Sequence, residues 1–248
     1  AIGVGKFYQS EKRCGACYQS ATHGICSTVN CTHEEMKIPP DDTVEIVSFD
    51  LAEQLKMLIN KNIDLLKKYQ DEPRTQITSD ANDIVRGDVY QSILRIEKDS
   101  FVSVMIHSDG IPLYRSKNCN AWPILGAVLE LPPYSRNRAD NTLLLALWIG
   151  KKPNFSIIFE KFSERLFHLK NKGIEINNNN KIKIILPMLI GGMPALSTMV
   201  KFVEHNALYA CMFCNTKGTY TLKKKSYIRN LKKVPRFATK SKPFFGFV

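Results

Sequence analysis

A chain of 248 residues with 44% hydrophobic and 23% charged residues can bury one sizeable core, and its composition is ordinary for a soluble globular domain. No apolar run reaches the roughly 18 residues that a membrane helix needs. The best is LLLALWIG at 143–150, so no membrane partner is expected. The first residue is Ala1, as in a piece of a longer chain, and the lack of a signal peptide therefore excludes no compartment.

The net charge of +12 is unevenly placed. Ten of the 35 Lys and Arg residues follow Asn215, with no Asp or Glu among them, and the rest of the chain is close to neutral. In this basic tail (219–248), Lys223, Lys224, Lys225, Arg229, Lys232, Lys233 and Arg236 are interleaved with Tyr and Phe. Cations of that kind take phosphates and rings stack on bases, which makes these seven residues the candidate nucleic-acid contacts. The alternative is a solvated tail or a terminal strand. Seven cysteines fall into two groups plus a lone Cys119. An odd count in CxxC pairs favours metal over disulfides, and with it a reducing, intracellular setting.

In chain order, the first element is Cys14-x2-Cys17-x8-Cys26-x4-Cys31. Four thiolates on two short-spaced pairs suit a tetrahedral zinc ion, and a segment so poor in apolar residues needs such a staple. Residues 1–40 therefore read as a zinc-binding module, with His23 and His33 as bystanders. After Pro39-Pro40-Asp41-Asp42, the residues Leu51, Leu55, Leu58, Ile59, Leu65, Leu66 and Tyr69 recur at helical spacing, with Ser48 or Asp50 as N-cap. Residues 71–98 read as polar and irregular, so 41–98 forms a helical connecting region.

A β-rich texture begins at FVSVMIH (101–107), which ends at Ser108-Asp109-Gly110. A second strand is predicted from Ile111 to Arg115 after a tight Asp-Gly turn. Further strands are predicted over 124–131 and 142–149. A helix should run from Asn154 through His168 and stop by Gly173, with IKIILPMLI (182–190) after it as a buried strand and a second helix from Pro194 to about Glu204. Strand, strand, strand, strand, helix, strand, helix predicts a mixed α/β sheet flanked by helices over 99–218. A nuclease that clamps metal between strand ends would place acids at Asp109 and at Gly192 or Gly191, and glycine offers no oxygen. His107 lies two residues before Asp109, on the same face. His205, Cys211 and Cys214 have the spacing of a second possible zinc site, with Cys119 a conceivable fourth ligand; the alternative is a helix end with buried thiols. Arg115 and Lys117 are further phosphate-tracking candidates, Arg136 and Arg138 read as a solvated loop, and Trp122 and Trp148 as core.

The stretches SDGIPLYRSKNCNAWPI, LELPPYSRNRADNTLLLALWIGKKPN and MPALSTMVKFVEHNALYACMFCNTKG together resemble animal transposase-like proteins related to the CACTA (En/Spm) group of cut-and-paste transposable elements. The likeness covers about residues 82–218. It implies an RNase H-like core of the DDE type, in which carboxylates hold two metal ions against a DNA phosphodiester. Asp109 matches the first acid. The second acid precedes Pro194-Ala195 by two residues, at Gly192, and the third has no counterpart before Val248. Mg²⁺ needs carboxylate charge to stay bound and is expected only if the centre works. The resemblance thus implies a nuclear, domesticated or decayed transposase that binds DNA without cutting it and takes no small-molecule substrate. A variant with one acid replaced and its tail cut short would look the same. The rival readings are a protein-interaction scaffold in a nuclear or RNA-processing complex, and an active DDE nuclease with acids elsewhere, for which Glu160, Glu164 and Glu204 are candidates.

Overall fold

The computed structural model describes residues 8–75, 83–97, 99–114, 119–176 and 180–203, with short stretches at 207–209, 217, 219–221 and 226–228. In chain order these form β1 (Tyr8–Cys14), β2 (Thr43–Phe49), α1 (Leu51–Thr75), α2 (Asp88–Ile96), β3 (Phe101–Ser108), β4 (Ile111–Pro112), β5 (Asn120–Val128), α3 (Pro133–Arg136), β6 (Thr142–Gly150), α4 (Phe155–Lys172), β7 (Ile174–Ile176), β8 (Asn180–Ile190) and α5 (Met193–Met199). A separate small hairpin joins β9 (Thr219–Thr221) to β10 (Ser226–Ile228).

Eight strands make one mixed sheet in the order β1-β2-β6-β5-β3-β8-β7, with β4 also on β5. Every pairing is antiparallel except β3 with β8, which run parallel. Alternation sorts the side chains between two faces. Val102, Val104 and Ile106 of β3, Ile124 and Val128 of β5 and Val44 and Ile46 of β2 are buried against α1 and α4. On the other face Phe101, Met105 and Ile185 pack with Val85, Tyr90 and Ile93 in and before α2. Leu51, Leu55, Leu58, Ile59 and Leu66 give α1 its inward stripe, and fully burying each such aliphatic contributes about 1.5–3 kcal/mol. Asp50 caps α1 by accepting from Glu53 N, and Asn154 caps α4 by accepting from Ser156 N. Gly173 ends α4 at φ 70°, a conformation that costs glycine little. Among the described residues no helix is long and apolar enough to cross a membrane.

Several local expectations need correction. The cysteine segment is the connection between β1 and β2, which pair from Tyr8 with Phe49 to Cys14 with Thr43, and β2 continues the main sheet through β6. The boundary expected at residue 40 therefore falls inside a hairpin. Residues 71–98 are not irregular throughout, since α1 reaches Thr75 and α2 occupies Asp88–Ile96. Asp109-Gly110 is not a tight turn. β3 meets β5 with Ser108 opposite Ile124, and β4 meets β5 in the same register with Ile111 opposite Ala121. Asp109 thus faces Pro123 midway along a longer hairpin arm, where proline has no N–H to give the ladder. Finally, α5 stops at Met199 and not near Glu204. Lys201 adopts φ 52° and Phe202 N donates to Ser197 O at 2.8 Å, a Schellman-type ending.

Candidate metal centre and strand-end site

The sulfur atoms of Cys14, Cys17, Cys26 and Cys31 all lie within 4.8 Å of one another, and none of the four is in a disulfide. Cys14 Sγ stands 3.8 Å from Cys31 Sγ, and Cys17 Sγ 3.6 Å from Cys26 Sγ. A tetrahedral ion with metal–sulfur bonds of about 2.3 Å needs edges of about 3.8 Å, so the four thiols fit a metal ion such as zinc. Cys14 and Cys26 are buried, Cys17 and Cys31 half-buried. Local backbone makes the cage. Cys14 ends β1, and Tyr18, His23, Asn30 and Glu35 take positive φ to turn the chain back on itself.

The thiols are not equivalent. Burial pushes the Cys17 thiol up, but hydrogen bonds from Thr28, the Gln19 backbone and the thiols of Cys26 and Cys31 outweigh it and bring it down to about 6. For Cys31 the His33 backbone N–H pulls down, yet burial and the thiols of Cys26, Cys17 and Cys14 drive it up to about 11. The Cys17 thiolate therefore forms readily, while Cys31 gives up its proton only to added positive charge, which a metal ion supplies.

His33 is no bystander. Its Nδ1 is 3.5 Å from Cys14 Sγ and its Nε2 is 3.4 Å from Asp42 Oδ2. Asp42 also binds Lys151 Nζ and takes Gly15 N on its backbone oxygen at 2.6 Å. The Lys151 ammonium is the chief cause that holds the Asp42 carboxyl below the usual range. Among the described residues, neither His23 nor His33 belongs to the group of four thiols.

At the far side of the sheet the parallel pairing sets His107 beside Ile190, so the chain leaves β3 at Asp109 and β8 at Gly191-Gly192 from adjacent strand ends. Asp109 is exposed, and its Oδ1 accepts from Gly110 N at 2.9 Å. Gly192 is exposed at the N-cap of α5, with φ −57° and ψ 153° and no side-chain cap. His107 is half-buried on the same face as Asp109. No group of three or more metal-binding side chains includes Asp109 among the described residues. Glu160 and Glu164 line a hollow with Arg13 of β1, four strand positions from β3, and so do not complete a site with Asp109. No protein-family model matches this chain, and no curated protein sequence does.

Arg136, expected on a solvated loop, is buried. It donates to both carboxylate oxygens of Asp83, at 2.8 and 2.6 Å, and to the carbonyls of Leu131 and Leu129. Tyr69 OH donates to the same Asp83 at 2.7 Å. Beside this pair Glu130, 1% exposed, accepts from Ser103 N, Ser103 Oγ and Tyr90 OH. Burial pushes the Glu130 carboxyl up, whereas Asp83 is held below the usual range because its hydrogen bonds from Arg136 and Tyr69 outweigh the burial. The LELPPYSR stretch is thus an architectural lock between β5 and the α2 face. Arg138 is exposed and pairs with Asp140. Trp148 is fully buried, Trp122 only partly. Cys119 is half-buried and belongs to no ligand cluster among the described residues. Arg115, Lys117, Glu204, His205, Cys211, Cys214 and the tail residues Lys223, Lys224, Lys225, Arg229, Lys232, Lys233 and Arg236 lie outside the described residues or have undescribed side chains.

Proposed function

We propose that the chain is a transposase-derived, nucleic-acid-binding protein with an RNase H-like core, a structural zinc at Cys14, Cys17, Cys26 and Cys31, and an incomplete nuclease centre. The observation that carries this reading is the parallel pairing of β3 with β8, which puts Asp109 next to the bare Gly191-Gly192. A meander of three antiparallel strands, a helix and then a parallel return beside the first strand suits that fold class as well. One carboxylate beside a glycine holds Mg²⁺ weakly, and cleavage would need at least one more acid. Binding then rests on phosphate contacts by the basic tail, is largely indifferent to sequence, and suits a nuclear protein.

The test is a salt titration of the full chain on duplex and single-stranded DNA. Affinity should fall steeply with salt, and Lys223→Gln, Lys224→Gln and Lys225→Gln together should reduce the slope by about 2–3. Tight binding with an unchanged slope would remove the tail from the interface. The scaffold reading has one observation of its own: Ile25, Val29 and Met36 on the cysteine segment are exposed, at 44%, 72% and 53%. It predicts negligible affinity for either nucleic acid.

A further inference from the structure

We propose that His33 and Asp42 are positioning residues for the metal, holding the Cys14 thiolate in ligand geometry and fastening the loaded cysteine segment to the central sheet. This rests on the metal reading above and goes beyond the four thiols.

Cys14 differs from the other three ligands because it also belongs to the sheet: it closes β1 opposite Thr43 and has no exposed surface. A ligand fixed in a strand cannot move to meet the ion, so its sulfur has to be aimed from outside. His33 does this. Two residues after Cys31, it turns back across the cage until Nδ1 reaches Cys14 Sγ at 3.5 Å, while Nε2 faces Asp42 Oδ2 at 3.4 Å. The ring is held at both ends, as metal-site imidazoles commonly are, except that here the inner nitrogen meets a ligand sulfur. His33 stays outside the four-sulfur group itself.

Asp42 links this arrangement to the sheet. Its backbone oxygen takes Gly15 N, next to Cys14, and its second carboxylate oxygen binds Lys151 just past β6. Close approach is required at this point, since a Cβ on Gly15 would come within 2.5 Å of Asp42 O. Trp148 Nε1 donates to the Lys151 carbonyl at 2.9 Å, and the Trp148 ring packs on Tyr18 at 5.9 Å. An unbroken chain of contacts therefore leads from the ligand sulfur through His33, Asp42 and Lys151 to the core indole.

Co²⁺ binding to the reduced full chain tests the proposal, read by sulfur-to-cobalt charge transfer and d–d bands, with Zn²⁺ competition for affinity. His33→Ala should weaken Co²⁺ by about 10–100-fold and shift the d–d bands. Asp42→Asn should weaken it less, and add nothing in the His33→Ala background. His33→Asn, whose amide reaches Cys14 but not Asp42, should recover most of the affinity and make Asp42→Asn silent toward cobalt. Unchanged affinity in His33→Ala, additive losses in the double variant, or bands of a nitrogen ligand in the unsubstituted chain would each overturn the assignment. A chain that takes up no Co²⁺ at all sinks the metal reading and this proposal with it, a result distinct from a site that binds without regard to His33.

Discussion

A Cβ placed on Gly191 would stand 2.9 Å from the carbonyl oxygen of Ser108, whereas one on Gly192 would meet nothing nearer than Pro194 Cδ at 3.9 Å. The two glycines at the end of β8 therefore have different reasons to be glycine. Gly191 is where two parallel strands come too close for a side chain. Gly192 has room, extended backbone angles and an uncapped helix after it.

Gly192→Asp should consequently fold as well as the unsubstituted chain, or a few tenths of a kcal/mol better, because aspartate is a good N-cap. Gly191→Asp should lose about 1–3 kcal/mol through overpacking against Ser108. Urea unfolding compares them directly. If the carboxylate at 192 also restores a metal site with Asp109, millimolar Mn²⁺ should raise the Tm of Gly192→Asp and leave Gly192→Asn unmoved. Equal losses at 191 and 192 would contradict the geometry.

Arg136 and Asp83 form a buried bidentate pair with side chains 5% and 7% exposed. Removing one partner leaves a buried charge and two orphaned carbonyls, so Arg136→Met should cost about 3–5 kcal/mol in urea unfolding. Lysine lacks the planar fork and should not rescue it. Asp83→Asn with Arg136→Met should cost well under the sum of the single losses, since the two share one interaction. Additive losses would mean that the pair contributes independently.

That pair also shows where the sequence stopped being readable. An arginine in a run such as PYSRNRADN is solvated by default, and its partner lies 53 positions away in chain order. The core strands were legible because FVSVMIH and IKIILPMLI carry their burial in their own pattern. The sheet's other edge was not. YQSEKRC in β1 buries only its last residue, and a strand whose sequence is polar owes its place to pairing with β2. The Asp-Gly step at 109–110 misled for a related reason, because local turn preference yielded to the long-range register with Pro123. At the metal centre the four ligands were visible as spacing. His33 was not distinguishable from His23, since only the folded turn brings it to Cys14.

Glu130 and Asp83 should give stability opposite dependences on pH. The folded value of Asp83 is depressed, so its contribution is complete above an ordinary aspartate value of about 4 and disappears as pH falls through the folded one. The folded value of Glu130 is raised, so its contribution is complete below about 4.3 and is lost as pH rises through the folded one. Glu130→Gln removes that loss. Its stability relative to the unsubstituted chain should therefore climb from pH 4 towards pH 8, as read by urea midpoints at each pH. A difference that stays flat would show that Glu130 does not change its proton affinity on folding.

Metal removal should act on one edge of the sheet and leave its centre alone. The cysteine segment connects β1 to β2, and Cys14 belongs to both the cage and the strand. Without an ion, four close thiols repel as they ionise and the segment has few apolar contacts of its own, Ile38 being its one fully apolar buried side chain. Chelation under reducing conditions should therefore raise amide hydrogen exchange across Tyr8–Cys14 and Thr43–Phe49 by at least about tenfold, corresponding to about 1.4 kcal/mol of lost local protection. Exchange in Val102–Ile106 and Ile184–Leu189 should change little, because those strands are buried by α1, α2 and α4 and not by the cage. Uniform loss of protection would make the ion a requirement for the whole fold, and no change at the edge would detach it from the sheet altogether.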